Sequence, residues 1–133
     1  MENVIYLPVT AWTAALSATL FLALTWGVIT RRRRLGIVLG DGDDRATTKC
    51  IRGHANAAEQ IPITLIVLAL AELGRAPQVG LIAASALFLI GRCMHGAYFS
   101  FRGQPWRLRF YGMLATIISQ IALIALLLAT LVT

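Results

Sequence analysis

Four apolar runs, each long enough to cross a bilayer as a helix and each set off by a polar segment, constrain this chain more than any other feature. A transmembrane helix needs about 20 mostly apolar residues. Such runs place helices over approximately residues 4–30, 48–73, 79–101 and 106–132. No basic residue precedes the first run, and its apolar length exceeds the roughly 7 to 15 residues of a signal core. It is therefore expected to remain as a membrane span. No run alternates with period two over about ten residues, as a transmembrane strand does, and unbroken apolar runs favour helices that satisfy their own backbone. The expected fold is all-α: one integral membrane four-helix bundle over residues 1–133, with no internal repeat. A mean hydropathy of +0.74 agrees, lying above the range of water-soluble domains.

The cations orient the bundle. Arg31 to Arg34, Arg45 and Lys49 flank the first connection, Arg102, Arg107 and Arg109 flank the third, and the second carries only Arg75. By the positive-inside rule both termini face outward and the two basic connections lie in the cytoplasm. Topology and attraction to anionic membrane lipids thus account for much of the net charge of +6 without any nucleic acid. The first connection, read as about 17 residues, contains Gly40, Asp41, Gly42, Asp43 and Asp44. Glycine tolerates positive φ and aspartate bonds its own nearby backbone, so this cluster reads as a turn. The remainder of a calcium-loop pattern is missing. Cys50 and Cys93 have neither metal-ligand spacing nor a setting that favours a disulfide, so packing roles and no metal are expected.

The polar residues inside the spans are harder to explain. At 100° per residue, Arg52, Asn56 and Glu59 fall within an arc of about 60° on span two, with His54 pointing nearly opposite Arg52. Pro62, one turn beyond Glu59, is expected to kink the span. Span three repeats Arg92, His95 and Phe99 at i, i+3 and i+7, with Tyr98 and Arg102 toward the side of that stripe, and span four opens with Arg107 and Tyr111 at i, i+4. Three helices therefore bring polar groups to one end of the bundle. An ionised side chain at a helix centre costs ~2.5 to 3.5 kcal/mol. On a purely structural reading the arginines snorkel to headgroups and Glu59 pairs with Arg92 or Arg52. On a functional reading they surround a ligand with carboxylates for guanidinium forks, an ammonium for Glu59 and peptide groups for Asn56. Glutathione has those groups, although spacing alone does not single it out.

The stretches "R52-G-H-A-N56-A-A-E59-Q-I-P62", "G91-R92-C-M-H95" and "R107-L-R-F-Y111-G" resemble the MAPEG family, the membrane-associated proteins in eicosanoid and glutathione metabolism, and in particular its bacterial branch. The motifs are recognisable over about residues 30–115. The resemblance implies homotrimers with glutathione bound between subunits near the cytoplasmic side of a bacterial inner membrane. It carries Arg52, Asn56 and Glu59 over as second-span ligands, Arg92 and His95 as third-span ligands, and Tyr111 as an aromatic ligand. Arg107 matches the arginine that faces the thiol, and Arg109 is its rival under a one-residue shift. Arg31 would close the site from span one, chosen among Arg31, Arg32, Arg33 and Arg34. Gln60 and Phe99 stand where the family often has tyrosine, and Tyr98 is the candidate to compensate.

The implied activity is transfer of glutathione to hydrophobic electrophiles, or reduction of lipid hydroperoxides with glutathione. A guanidinium beside the sulfur favours the thiolate, which is the nucleophile. Two other classes compete: a non-catalytic lipid-binding or scaffold member of the same fold, and a small proton-coupled transporter built on Glu59.

Overall fold

In a computed structural model, residues 6–132 are described, and they form four helices: α1 (Pro8–Leu35), α2 (Arg45–Leu73), α3 (Gln78–Ser100) and α4 (Trp106–Leu131). All four are long and apolar enough to cross a membrane. There are no strands among the described residues. The expected start of the first span at Val4 and Ile5 lies outside them, while Tyr6 and Leu7 precede the helix.

The largest difference from expectation is at the arginine run. Residues 31–34 are the last turns of α1, not part of a long connection, which is reduced to residues 36–44. Arginine is a good helix former, and cations are favoured at a helix C-terminus by the macrodipole. Gly36 at φ 67° then stops the helix: its N–H donates to Arg33 O and that of Ile37 to Arg32 O at 3.0 Å, which is the paired geometry of a Schellman cap. The turn expected at residues 40–44 is present. Gly40 and Gly42 have positive φ, and the Asp43 N–H donates to Asp41 Oδ1 at 3.2 Å. Asp44 caps α2, which starts three residues earlier than expected, by accepting from Thr47 N at 2.8 Å. At their far ends α3 and α4 each stop one residue short of the expected limits. Pro62 does not interrupt α2, which stays continuous across it.

Helices α2 and α3 form the inner pair, with α1 and α4 packed on opposite sides; α1 and α4 share no interface. One buried cluster lies toward the α2–α3 connection (Leu68, Ala71, Leu81, Ala84, Leu123) and a second toward the basic end (Leu24, Ala57, Ile61, Phe88). Helices α3 and α4 approach closely where two glycines meet: a Cβ on Gly91 would lie 2.7 Å from Gly112 O, and one on Gly112 would lie 2.7 Å from His95 N. That crossing fixes the depth at which α4 passes His95. Trp26, Ile66, Ile90, Ile121 and Leu128 are exposed, as lipid-facing residues are.

Candidate functional site

Arg52 and Asn56 from α2, His95 and Phe99 from α3, and Arg109 from α4 converge on one cavity of about 650 Å3 at the basic end of the bundle. Trp106, Phe110, Met113, Leu114 and Ile117 form its apolar wall. The cavity is within the usual size for small-molecule sites, and it is two-sided: two guanidiniums, a carboxamide and an imidazole on one part, hydrocarbon and aromatic surface on the other. No carboxylate lines it. Its electrostatic character is therefore that of an anion site opening along a lipophilic groove.

Behind the polar part sits Arg92. It is only 1% exposed, and its Nη2 donates to Asn56 Oδ1 at 3.0 Å and lies 3.5 Å from His95 Nδ1. Because the guanidinium only donates, Asn56 must present its oxygen backwards, leaving its NH2 for the cavity. His95 Nδ1 likewise accepts, which leaves Nε2 as the donor. Arg92 thus turns two neutral side chains into donors facing the site. The Arg92 Nε and Nη1 are buried without a hydrogen-bond partner, and the ion pair found among the described residues, Arg31–Asp44, does not neutralise Arg92. Arg92 is accordingly a support for the site, not part of its lining.

Several other candidate residues lie outside the cavity. Arg109 lines it and Arg107 does not. Taking Met113 as the reference for the cavity face, Arg109 lies about 40° away on α4 and Arg107 about 120° away. Tyr111 shares the exposed face of Arg107. Glu59 is exposed one turn beyond Asn56 and makes no ion pair among the described residues, so the expected pairing with Arg92 or Arg52 is absent. Tyr98 turns away, its ring lying 3.8 Å below Lys49 Nζ. Arg31 pairs with Asp44 at 2.9 Å and lines a separate cavity of about 280 Å3 with Arg34, Cys50 and Ser100. His54, opposite Arg52 as its spacing predicts, meets Thr25 Oγ1 at 3.1 Å and stacks on Phe21. Cys50 and Cys93 are free thiols.

The apolar wall was not anticipated from sequence, though its signal was present. Trp106, Arg109, Phe110, Met113, Leu114 and Ile117 recur at the 3, 4, 7, 8 and 11 spacing of one helix face. A separate, smaller pocket of about 160 Å3 lies farther along α2 and α4, where Gln120 Nε2 donates to Gln60 Oε1 and Thr64 Oγ1, both at 2.9 Å. A carboxamide pair therefore occupies the position where a tyrosine was noted as missing.

Comparison with known proteins gives the family of this chain. The sequence pattern of the MAPEG family matches residues 9–129. The chain is 33% identical over 108 residues to the inner membrane protein YecN of Escherichia coli strain K12, covering 81% of each chain, and equally to YecN of Escherichia coli O6:H1 strain CFT073. A match spanning nearly all of the four helices, together with the Arg52–Asn56–Glu59 stretch, makes this chain a member of the MAPEG family.

Proposed function

We propose that this protein is a membrane-embedded glutathione transferase that holds glutathione in the cation-lined cavity and activates its thiol for attack on hydrophobic electrophiles. The observation that carries the proposal is the meeting of Arg52, Asn56, His95 and Arg109 with a continuous apolar wall in one cavity. Carboxylates of the tripeptide pair with Arg52 and with the donors that Arg92 orients. Arg109, on the same wall as Trp106 and Met113, is placed to stabilise the thiolate beside the entry of a lipophilic co-substrate. The thiolate then bonds the electrophilic carbon, expelling its leaving group or adding across an activated double bond. Alternatively it attacks a lipid hydroperoxide, breaking the O–O bond to release the alcohol and a sulfenic acid that a second glutathione converts to the disulfide and water.

A homotrimer in an inner membrane completes this reading. Glu59, Arg107 and Tyr111 are exposed on a single protomer, and an exposed carboxylate facing lipid is costly. A neighbouring subunit would cover them and place Glu59 against the ammonium of glutathione. The substitution of Gln60 and Phe99 for tyrosines favours a second reading, a non-catalytic lipid-binding or scaffold role.

The test is a glutathione titration of the purified protein in lipid, following thiolate absorbance and turnover with an apolar electrophile. Arg109→Ala is expected to remove the thiolate signal and lower kcat/KM at least ~10-fold, equivalent to about one pKa unit at the sulfur, with a smaller loss in Arg107→Ala. Absence of saturable glutathione binding in the parent protein, with a co-purifying lipophile, selects the scaffold reading.

A further inference from the structure

Beyond the cation-lined cavity, on the same sides of α2 and α4, the carboxamides of Gln60 and Gln120 meet near the midpoints of the two helices. Gln60 lies about 40° from Asn56 on α2, and Gln120 about 20° from Met113 on α4, so both keep to the cavity side. At about 1.5 Å rise per residue the pair sits roughly 12 Å beyond Arg52 and roughly 16 Å beyond Arg109. Ile63, Val67, Leu123 and Ile124 line its pocket of about 160 Å3, which is below the usual size for a whole small molecule and suits one end of a longer one.

The hydrogen bonds within the pair fix which atoms are left over. The Thr64 hydroxyl gives its hydrogen to Gln60 O at 2.7 Å, so Thr64 Oγ1 can only accept from Gln120. That turns the Gln120 NH2 inward, and its two N–H groups go to Thr64 Oγ1 and Gln60 Oε1, both at 2.9 Å. Gln120 Oε1 as acceptor and Gln60 Nε2 as donor then have no partner among the described residues. Neither atom is buried: the buried side-chain nitrogens and oxygens without a partner belong to Ser17, Ser85 and Arg92, and both glutamines are only half-buried. Joining the two helices needs the inner bonds alone. The outer donor and acceptor, at a depth where no water meets them, are complementary to a hydroxyl, whose oxygen accepts from Gln60 while its hydrogen goes to Gln120.

We infer that the co-substrate is a long lipophilic electrophile carrying a hydroxyl roughly 12 to 16 Å from its reacting carbon, and that Gln60 and Gln120 bind this hydroxyl. The inference rests on the reading of the cavity as the glutathione site. For an unsaturated aldehyde, the thiolate bonds the β-carbon, the C=C π pair moves to the α-carbon, and that carbon takes up the proton the thiol lost. Arg109 acts at the sulfur, whereas the two carboxamides hold the far end of the chain and select which electrophile binds.

The probes are three trans-2-alkenals of equal length, ending in a hydroxyl, a methyl ether or a methyl group roughly 12 to 16 Å from the β-carbon, given with glutathione to the protein in nanodiscs. The hydroxyl alkenal is expected to have a kcat/KM at least about five-fold above the methyl-ended one, the worth of one net hydrogen bond. The difference is expected in KM, with the ether, which accepts but does not donate, in between. Shortening the chain until the hydroxyl cannot reach the pair is expected to remove the preference. Gln120→Leu is expected to bring the ratio to one. Gln60→Met, which keeps the side-chain length, does the same and decides the matter where Gln120→Leu fails to fold. Equal kcat/KM for the three alkenals in the parent protein, or a hydroxyl preference that survives the substitutions, overturns this inference and leaves the glutathione reading standing. Absence of turnover with all three overturns the glutathione reading and this inference with it. Efficient disulfide formation between copies carrying Ile63→Cys and Ile124→Cys puts a second copy in the pocket and overturns this inference alone.

Discussion

The Arg92 guanidinium donates to Asn56 Oδ1 across 3.0 Å, joining α3 to α2 directly behind the cavity. A buried cation without a carboxylate partner is expensive, and here it aligns the donors of Asn56 and His95 toward the cavity. Arg92→Met keeps most of the side-chain volume and removes the charge. It is expected to leave thermal stability equal or higher while weakening glutathione binding ~10-fold or more, the scale of losing oriented hydrogen bonds to a charged group. Calorimetric titration beside a melting curve checks both halves; unchanged affinity would show that Asn56 and His95 need no such support.

The crossing of α3 and α4 has no room for a side chain. At Gly112 a Cβ would meet backbone atoms of both His95 and Gly91, which cannot rotate aside. Gly112→Ala is expected to cost about 1 to 3 kcal/mol by overpacking, whereas Gly27→Ala, where nothing lies within 4 Å, is expected to be neutral or slightly stabilising. Reversible unfolding in mixed micelles compares the two.

Helix α1 lacks an N-terminal cap of its own, since Leu7 offers no side-chain acceptor. Glu72 at the end of α2 supplies it, accepting from Val9 N at 2.9 Å, Thr10 N at 2.8 Å and Thr10 Oγ1 at 2.7 Å. The negative charge also meets the positive end of the α1 dipole. Glu72→Ala is expected to destabilise the protein by about 2 kcal/mol, with Glu72→Gln intermediate because its amide offers one acceptor. Hydrogen exchange at Val9 and Thr10 should rise before exchange elsewhere in α1.

Asp44 ties the other end of α1 to the start of α2. Its carboxyl is held down to about 2, first by the Thr47 hydroxyl and then by Arg31. Because the folded-state value lies below the ordinary 3.8, the stabilisation is present in full above that value and lost as the pH falls through about 2. The α1–α2 connection is therefore expected to loosen between about pH 4 and pH 2. Asp44→Asn should remove that acid transition, measured by the accessibility of Thr47 and Thr48 amides to exchange.

The four helices, the turn at residues 40–44 and the opposed settings of Arg52 and His54 were legible in the sequence because each follows from local composition or the 100° rotation between neighbours. Helical rotation also placed Arg52 and Asn56 on one face. It did not reveal that Glu59, one turn further, would fall beyond the cavity, because a helix face extends farther than a pocket. Which of Arg107 and Arg109 lines the cavity was equally closed to sequence: both are cations in the first turn of α4, and only the rotation of that helix against α3 separates them.

By itself, the sequence determined the number, length and hydrophobic character of the helices, since these depend on apolar free energy summed along the chain. Only tertiary structure decided which polar groups meet. Arg92 was turned inward, Arg109 was brought to the cavity, Glu72 was sent to cap a distant helix, and Gln60 was paired with Gln120. The physical reason is that these outcomes depend on helix rotation and close approach, above all at Gly91 and Gly112, where backbone meets backbone between segments far apart in the chain.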